Sequence, residues 1–209
     1  MSSFNAPAAP AAPAAPAAPR ALASGTDRAI SVVVMGVAGC GKSTVGELIA
    51  RELAVPLVEG DDYHPAANVQ KMQQGIALTD EDRAQWLQLL GAQLAQHAGG
   101  VVLTCSALKS AYRQTLRQAS ASVGWPLLFV HLVISEAESL RRVGTRAGHY
   151  YPASLVASQF EALEDPSAEP GVFSVQGAKP VDQLAQQAVA WLLAQNAAEQ
   201  LFSIRSQSA

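Results

Sequence analysis

Between Gly36 and Ser43 the chain reads Gly-Val-Ala-Gly-Cys-Gly-Lys-Ser, and the chemistry such a run can do is the holding of phosphate. Glycines let the backbone curl until successive N–H groups converge on anionic oxygens. A helix starting near Ser43 adds its positive end to the same point. Lys42 is then in reach of the β- and γ-phosphates, and the Ser43 hydroxyl is placed to ligate magnesium. The motif needs a strand before it and a helix after it. Ile30 to Val34 is a β-branched apolar run, and Val45, Leu48, Ile49 and Leu53 recur at helical spacing behind it. Gly36, Val37, Ala38, Gly39, Cys40, Gly41, Lys42, Ser43 and Thr44 are therefore expected to bind a nucleoside triphosphate. Cys40, among inward N–H groups and beside Lys42, is expected to have a depressed thiol pKa and to oxidise readily.

A second group of residues suits an acceptor. Asp61 follows a short apolar run, Pro56 to Glu59, at a strand end where a carboxylate can take the proton of an attacking hydroxyl. Asp62 beside it is left ambiguous. His64 and Asn68 are candidates to bond a polyol, and Lys71, Arg83, Lys109 and Arg113 to hold an anion. Ser106 stands where other phosphate-loop proteins often place a magnesium-directing aspartate, so Glu59 or Asp61, acting through water, is left to fill that role. Arg142 and Arg146 are four apart and share a helix face, which suits a lid closing over ATP with one arginine on the transition-state charge.

The elements that must position these groups alternate. Strands are expected at Ile30–Val34, Pro56–Glu59, Val101–Cys105, Leu127–Ile134 and Val172–Val175. Helices are expected at Thr44–Leu53, Ala66 to Gly75, Thr79 to Gly99, Ser106–Gln118, Ser135 to Arg146, Ala153–Leu163 and Pro180 to about Asn196. Thr79 with Asp82, and Ser135 with Glu138, have the spacing of capping boxes. Alternation of this kind means an α/β domain with a central five-stranded parallel sheet and right-handed crossovers. Ligands then gather at the carboxyl ends of the strands.

Composition bounds the rest. Residues 1–28 carry an Ala-Ala-Pro repeat with no core-forming side chains and are expected to be a disordered extension. The roughly 180 residues that follow are the size of one domain, taken as 29–197 with a short tail at 198–209. A net charge of −3 and a pI of about 5.8 give no basic character to favour nucleic acid. No apolar run approaches the roughly 20 residues of a membrane span, and no secretory leader is evident. Cys40 and Cys105, unsuited to a metal knuckle, fit a reducing cytoplasm.

Four segments carry a resemblance to a family. The phosphate loop is one; the others are Gly60-Asp61-Asp62-Tyr63-His64-Pro65-Ala66-Ala67-Asn68-Val69-Gln70-Lys71-Met72, Cys105-Ser106-Ala107-Leu108-Lys109 with Tyr112-Arg113, and Arg142 to His149 with Ser158 to Glu164. Together they resemble the gluconate kinases, small-molecule phosphate-loop kinases related to shikimate and adenylate kinases. The resemblance implies a three-layer fold with a mobile lid, ATP and Mg2+, and transfer of the γ-phosphate to the 6-hydroxyl of D-gluconate. It also suggests a homodimer. Carried onto this sequence, it implies catalytic roles for Lys42, Asp61, Arg142 and Arg146, substrate contacts from Asp61, His64, Lys71, Arg83, Ser106 and Lys109, and Ser43 at the metal with Glu59 behind water. Cys40 and Glu59 depart from the serine or glycine and the aspartate common in relatives. A shikimate-kinase-like enzyme and, in another class, a nucleotide-binding regulator are the alternatives; the absence of an Asn-Lys-x-Asp guanine-reading segment weighs against the latter.

Overall fold

The computed structural model describes residues 30–97, 99–145 and 153–207. Five strands form one sheet: β1 (Ser31–Met35), β2 (Leu57–Glu59), β3 (Val101–Cys105), β4 (Leu127–Val133) and β5 (Val172–Gln176), in the order β2-β3-β1-β4-β5. Every pairing is parallel. The helices are α1 (Lys42–Leu53), α2 (Ala66–Gln73), α3 (Asp80–Gln96), α4 (Ser110–Ala121), α5 (Glu136–Thr145), α6 (Ala153–Ala162) and α7 (Val181–Gln207), with a 3-10 turn at Gly60–Tyr63. No described helix is long and apolar enough to cross a membrane.

The alternation in β1 makes the three layers. Val32 and Val34 face one core with Val45 and Ile49 of α1 and Leu184 and Leu192 of α7. Val33 and Met35 face the other, with Trp86, Leu90 and Leu94 of α3 and Leu116 of α4. A strand buried on both faces reads as a near-continuous apolar run, which β1, β3 and β4 do, each with one buried polar residue, Ser31, Thr104 and His131. β1 is central, so the loop leaving its carboxyl end lies between the ends of β3 and β4.

Three boundaries differ from expectation. Ser106 to Lys109 form a loop before α4, because the carbonyls of Ala107 and Leu108 accept from the Arg113 guanidinium and Ala107 takes a φ of 43°. α7 continues to Gln207 rather than stopping near Asn196; no glycine or proline interrupts the chain there, and propensity carries the helix on. At α5 only half of the capping box forms: Glu138 N donates to Ser135 Oγ, while the Glu138 carboxylate turns to Arg141 and Arg142. The box at α3 is complete, with Asp82 N donating to Thr79 Oγ1 and Thr79 N to the Asp82 carboxylate. The expected lid break, Gly148 to Pro152, and Arg146 lie outside the described residues.

Candidate active site

The phosphate loop folds as a tight cup between β1 and α1. Gly36 has a φ of +138°, and a Cβ there would sit 2.8 Å from Leu132 O and 2.9 Å from Cys40 Sγ. Glycine is thus required both for conformation and for the space in which Cys40 packs. Gly36 N donates to Ser106 O, which ties the cup to the end of β3. Lys42 extends back over the cup, its Nζ donating to Gly36 O at 3.1 Å and Val37 O at 3.2 Å. Arg142 comes from the other side: Nη1 donates to Gly39 O at 3.4 Å and Nη2 to Gly177 O at 3.0 Å, while Nε is held by Glu138 at 2.6 Å. Arg141 and Arg142 together hold the Glu138 carboxyl down at about 2. Two fixed cations therefore flank the Ala38–Gly39 step.

At the start of α1 the chemistry changes to hard oxygen. Ser43 Oγ donates to Glu59 Oε2 at 3.1 Å, and Thr104 Oγ1 donates to the same oxygen at 2.6 Å. Glu59 ends β2 and Thr104 is its register partner on β3, so the sheet itself delivers the carboxylate to the hydroxyl. A hydroxyl beside one carboxylate is a donor set that fits magnesium, which is commonly held by one or two carboxylates plus phosphate oxygens. Thr104 was not expected; its role follows from strand register, which a single segment cannot reveal.

The expected acceptor side begins at Gly60. A Cβ on it would lie 2.1 Å from Thr104 O, Gly60 N donates to Thr104 Oγ1, and Gly60 O accepts from Trp86 Nε1 at 2.7 Å. This close crossing turns β2 over the end of β3 and presents Asp61 at the rim. The Asp61 charge is felt at both neighbours. Burial pushes the Cys105 thiol up to about 12, with Asp61 adding to it. Burial also lowers the His64 pKa, against the pull of Asp61. His64 stacks on Trp86 with ring centroids 4.2 Å apart. Buried Asn68 donates to Asp82 O at 2.8 Å and lies 3.5 Å from His64 Nδ1.

A cleft of about 320 Å³ opens between the N-terminus of α3 and α6, lined among others by Leu78, Thr79, Asp80, Arg83, Lys109 and Ser158; neither Asp61 nor a phosphate-loop residue is in that lining. Lys109 Nζ donates to both Asp80 oxygens, at 2.7 and 2.8 Å, and the Tyr112 hydroxyl donates to Oδ1. Lys109 and Tyr112 hold the Asp80 carboxyl below its usual range. Arg83 donates to Leu78 O and Thr79 O and lies 5.8 Å from the centroid of the Tyr112 ring. The cleft so brings Arg83 and Lys109 together, whereas Lys71 turns to Asp82 at 2.6 and 2.8 Å and is not part of the lining.

A family model described as an AAA domain matches residues 32–170. The gluconokinase of Gluconobacter oxydans is 47% identical over 154 residues, covering 72% of this chain and 84% of that protein. The chain belongs to the gluconokinase family. The thermosensitive gluconokinase of Escherichia coli is 42% identical over 143 residues, 66% of this chain and 74% of the relative. A crystal structure of a gluconokinase from Sinorhizobium meliloti 1021 superposes with a TM-score of 0.75 at 43% identity, covering 84% of this chain and 97% of the other. Shikimate kinase from Acinetobacter baumannii, at 16% identity and a TM-score of 0.56, shares the fold. Gluconokinase-family membership makes the chain an ATP-dependent phosphotransferase on the phosphate-loop α/β fold.

Within this gluconokinase fold, two sequence expectations are corrected. Arg113 does not face an anionic substrate. It is fully buried and its guanidinium is consumed by Glu169 and by the carbonyls of Ala107, Leu108 and Glu164. Cys40 is not an activated thiol: it is 1% exposed, packed under Gly36, and burial raises its pKa against the opposing influence of Lys42. Both cysteines are free and buried. Ellman's reagent is accordingly expected to titrate neither thiol in the folded protein over the time in which guanidinium exposes both, with or without ATP-Mg. A fast native thiol shielded by nucleotide would restore the original expectation.

Two further residues at the site were not singled out from the sequence, although Gln159 lies in the Ser158 to Glu164 segment that carries part of the resemblance. Ser139 Oγ, fully buried on α5, donates to Ala38 O at 2.7 Å, and Ala38 N donates to Gln159 Oε1 on α6 at 2.7 Å. Each is a serine or glutamine inside a helix, and only the fold brings them more than 100 positions along the chain to one peptide unit.

Proposed function

We propose that this protein phosphorylates D-gluconate at its 6-hydroxyl, using ATP with Mg2+. The observation that carries the substrate is the pairing of close gluconokinase relatives with a cleft of mixed charge. Arg83 and Lys109 offer cations to a carboxylate, while Asp80 and the neighbouring backbone offer acceptors to hydroxyl groups. A polyhydroxylated acid needs both.

In this reading the loop amides and Lys42 hold the β- and γ-phosphates. Ser43 and Glu59 would hold magnesium, which when bound neutralises charge on the phosphate oxygens. Asp61 orients the acceptor hydroxyl and takes its proton as the oxygen bonds to the γ-phosphorus and the bond to ADP breaks. Arg142, fixed by Glu138 over Gly39, stabilises charge on the transferring group. His64, kept neutral by burial against Trp86, remains a hydrogen-bonding partner rather than a cation at neutral pH. Ser106 and Lys109 are held by the loop that Arg113 braces.

The test is ADP release with ATP-Mg and a panel of gluconate, shikimate, glycerate and nucleoside monophosphates. Gluconate is expected to exceed each of the others by about 10²-fold or more in kcat/KM, because a site built to bond hydroxyls penalises an acceptor that leaves them unpaired. Equal or better turnover of shikimate would move the chain to the shikimate-kinase-like alternative.

A further inference from the structure

The Ala38 peptide is gripped from both sides. Ser139 of α5 takes its carbonyl and Gln159 of α6 takes its N–H. The N–H of a residue inside the phosphate cup belongs to the set of donors that such a nest turns on anionic oxygen. Here its acceptor is an amide carbonyl. Ala38 also lies at the most cationic part of the cup: Lys42 Nζ sits on the carbonyls of Gly36 and Val37 just before it, and Arg142 Nη1 reaches Gly39 O just after it. The terminal phosphate carries the most charge of the three and is drawn to that place. The next residue back on α6, Ser158, lines the acceptor cleft with Arg83 and Lys109.

We propose that Gln159 is a positioning residue that reads the terminal phosphate of the bound nucleotide and passes its presence to the acceptor cleft. A γ-phosphate oxygen and Gln159 Oε1 compete for the same Ala38 N–H. ADP leaves the Gln159 bond in place, and ATP takes the donor and releases Gln159 from Ala38. Because Gln159 and Ser158 are adjacent on one helix, that release changes the wall of the cleft, so the two substrates bind with a coupling free energy. The inference rests on the reading of the loop as an ATP site and of the cleft as the gluconate site.

Two variants separate this from a merely structural tether. Gln159→Glu keeps an acceptor for Ala38 N–H but puts a negative charge where the γ-phosphate arrives. Calorimetric titration is expected to show affinity for the β,γ-imido analogue of ATP falling roughly tenfold or more, the scale of a close like-charge pair, with ADP-Mg within about twofold of wild type. In Gln159→Ala, the dissociation constant of gluconate is expected to become the same with the analogue as with ADP, whereas in the wild type the two differ. Both variants should melt within a few degrees of wild type. Equal loss of both nucleotides in Gln159→Glu, or a gluconate difference that survives in Gln159→Ala, overturns the proposal. If gluconate fails to bind the wild type at all, the substrate reading falls, and the comparison of ADP with the analogue still decides the role of Gln159.

Discussion

Asp61→Asn is expected to lower kcat for gluconate phosphorylation by roughly 10²–10⁴-fold, the usual worth of positioned acid–base catalysis, while leaving ATP affinity nearly unchanged. The substitution keeps the shape of the side chain and removes the proton acceptor. Nucleotide affinity is expected to hold because the cup, Lys42 and Ser43 belong to β1 and α1, whereas Asp61 is delivered separately by the Gly60 crossing over Thr104. Asp62→Asn is the internal comparison and should be mild. The charge of Asp61 acts on both Cys105 at the end of β3 and His64, which places it toward the interior of the turn. Steady-state kinetics of both variants beside direct ATP titration decide the matter. Near-wild-type turnover in Asp61→Asn, or a larger loss in Asp62→Asn, would put the base on the wrong carboxylate. A parallel loss of ATP affinity would instead mean that the Gly60 turn supports the cup.

What could be read in advance was whatever is local. The strand, glycine cup and helix from Ser31 to Leu53 are contiguous, and their chemistry is encoded in spacing. The capping box at Thr79 and Asp82 is a three-residue relation and formed as read. The place of Asp61 just after a strand was legible because Gly60-Asp61 follows a short apolar run, whereas its expected role as base came from the family resemblance. The failures have different causes. Whether a cation faces solvent, substrate or a buried carboxylate depends on residues far along the chain, and nothing near Arg113 announces Glu169. The error at Cys40 is local, since the thiol's direction is set by the space Gly36 leaves beneath it and not by its nearness to Lys42. Lys71 and Lys109 are intermediate cases. Each was taken as an anion-holding group, and each is engaged by an acid in the first turn of α3, Asp82 and Asp80 respectively. That turn was recognised for capping, and its second use in anchoring two lysines needed the packing of α3 against α2 and α4.

Arg113→Met is expected to destabilise the fold by about 3–5 kcal/mol, the cost of breaking a buried ion pair from one side, and so to lower Tm by roughly 6–20 °C in a domain of this size. The side chain is fully buried, and its Nε and Nη2 both donate to Glu169 Oε1 while Nη1 donates to Ala107 O and Leu108 O at 2.9 and 2.8 Å. Removing it takes the guanidinium donor from Ala107 O, leaves Leu108 O with Glu164 N, and leaves the Glu169 carboxylate with Arg117. Arg113→Lys should recover only part of the loss, because one ammonium cannot reproduce the planar fork. Arg113→Met with Glu169→Leu should be less damaging than the sum of the two single changes, since the buried charge and its partner leave together. Acid provides a second reading. Arg113 holds the Glu169 pKa below its ordinary 4.5, so this contribution is present above pH 4.5 and is lost as pH falls through the lower folded value. The acid limb of wild-type stability should be steeper than that of Arg113→Met. Activity follows from the same bracing: Arg113 fixes the loop that carries Ser106 and Lys109, so surviving Arg113→Met is expected to show a raised gluconate KM alongside its lowered Tm. A variant with unchanged Tm and a raised gluconate KM would reverse the assignment and return Arg113 to the substrate. Thermal denaturation across pH 3–7 and kinetics on the same preparations distinguish the two, because a brace weakens the fold before it weakens the site and a ligand-holding cation does the opposite.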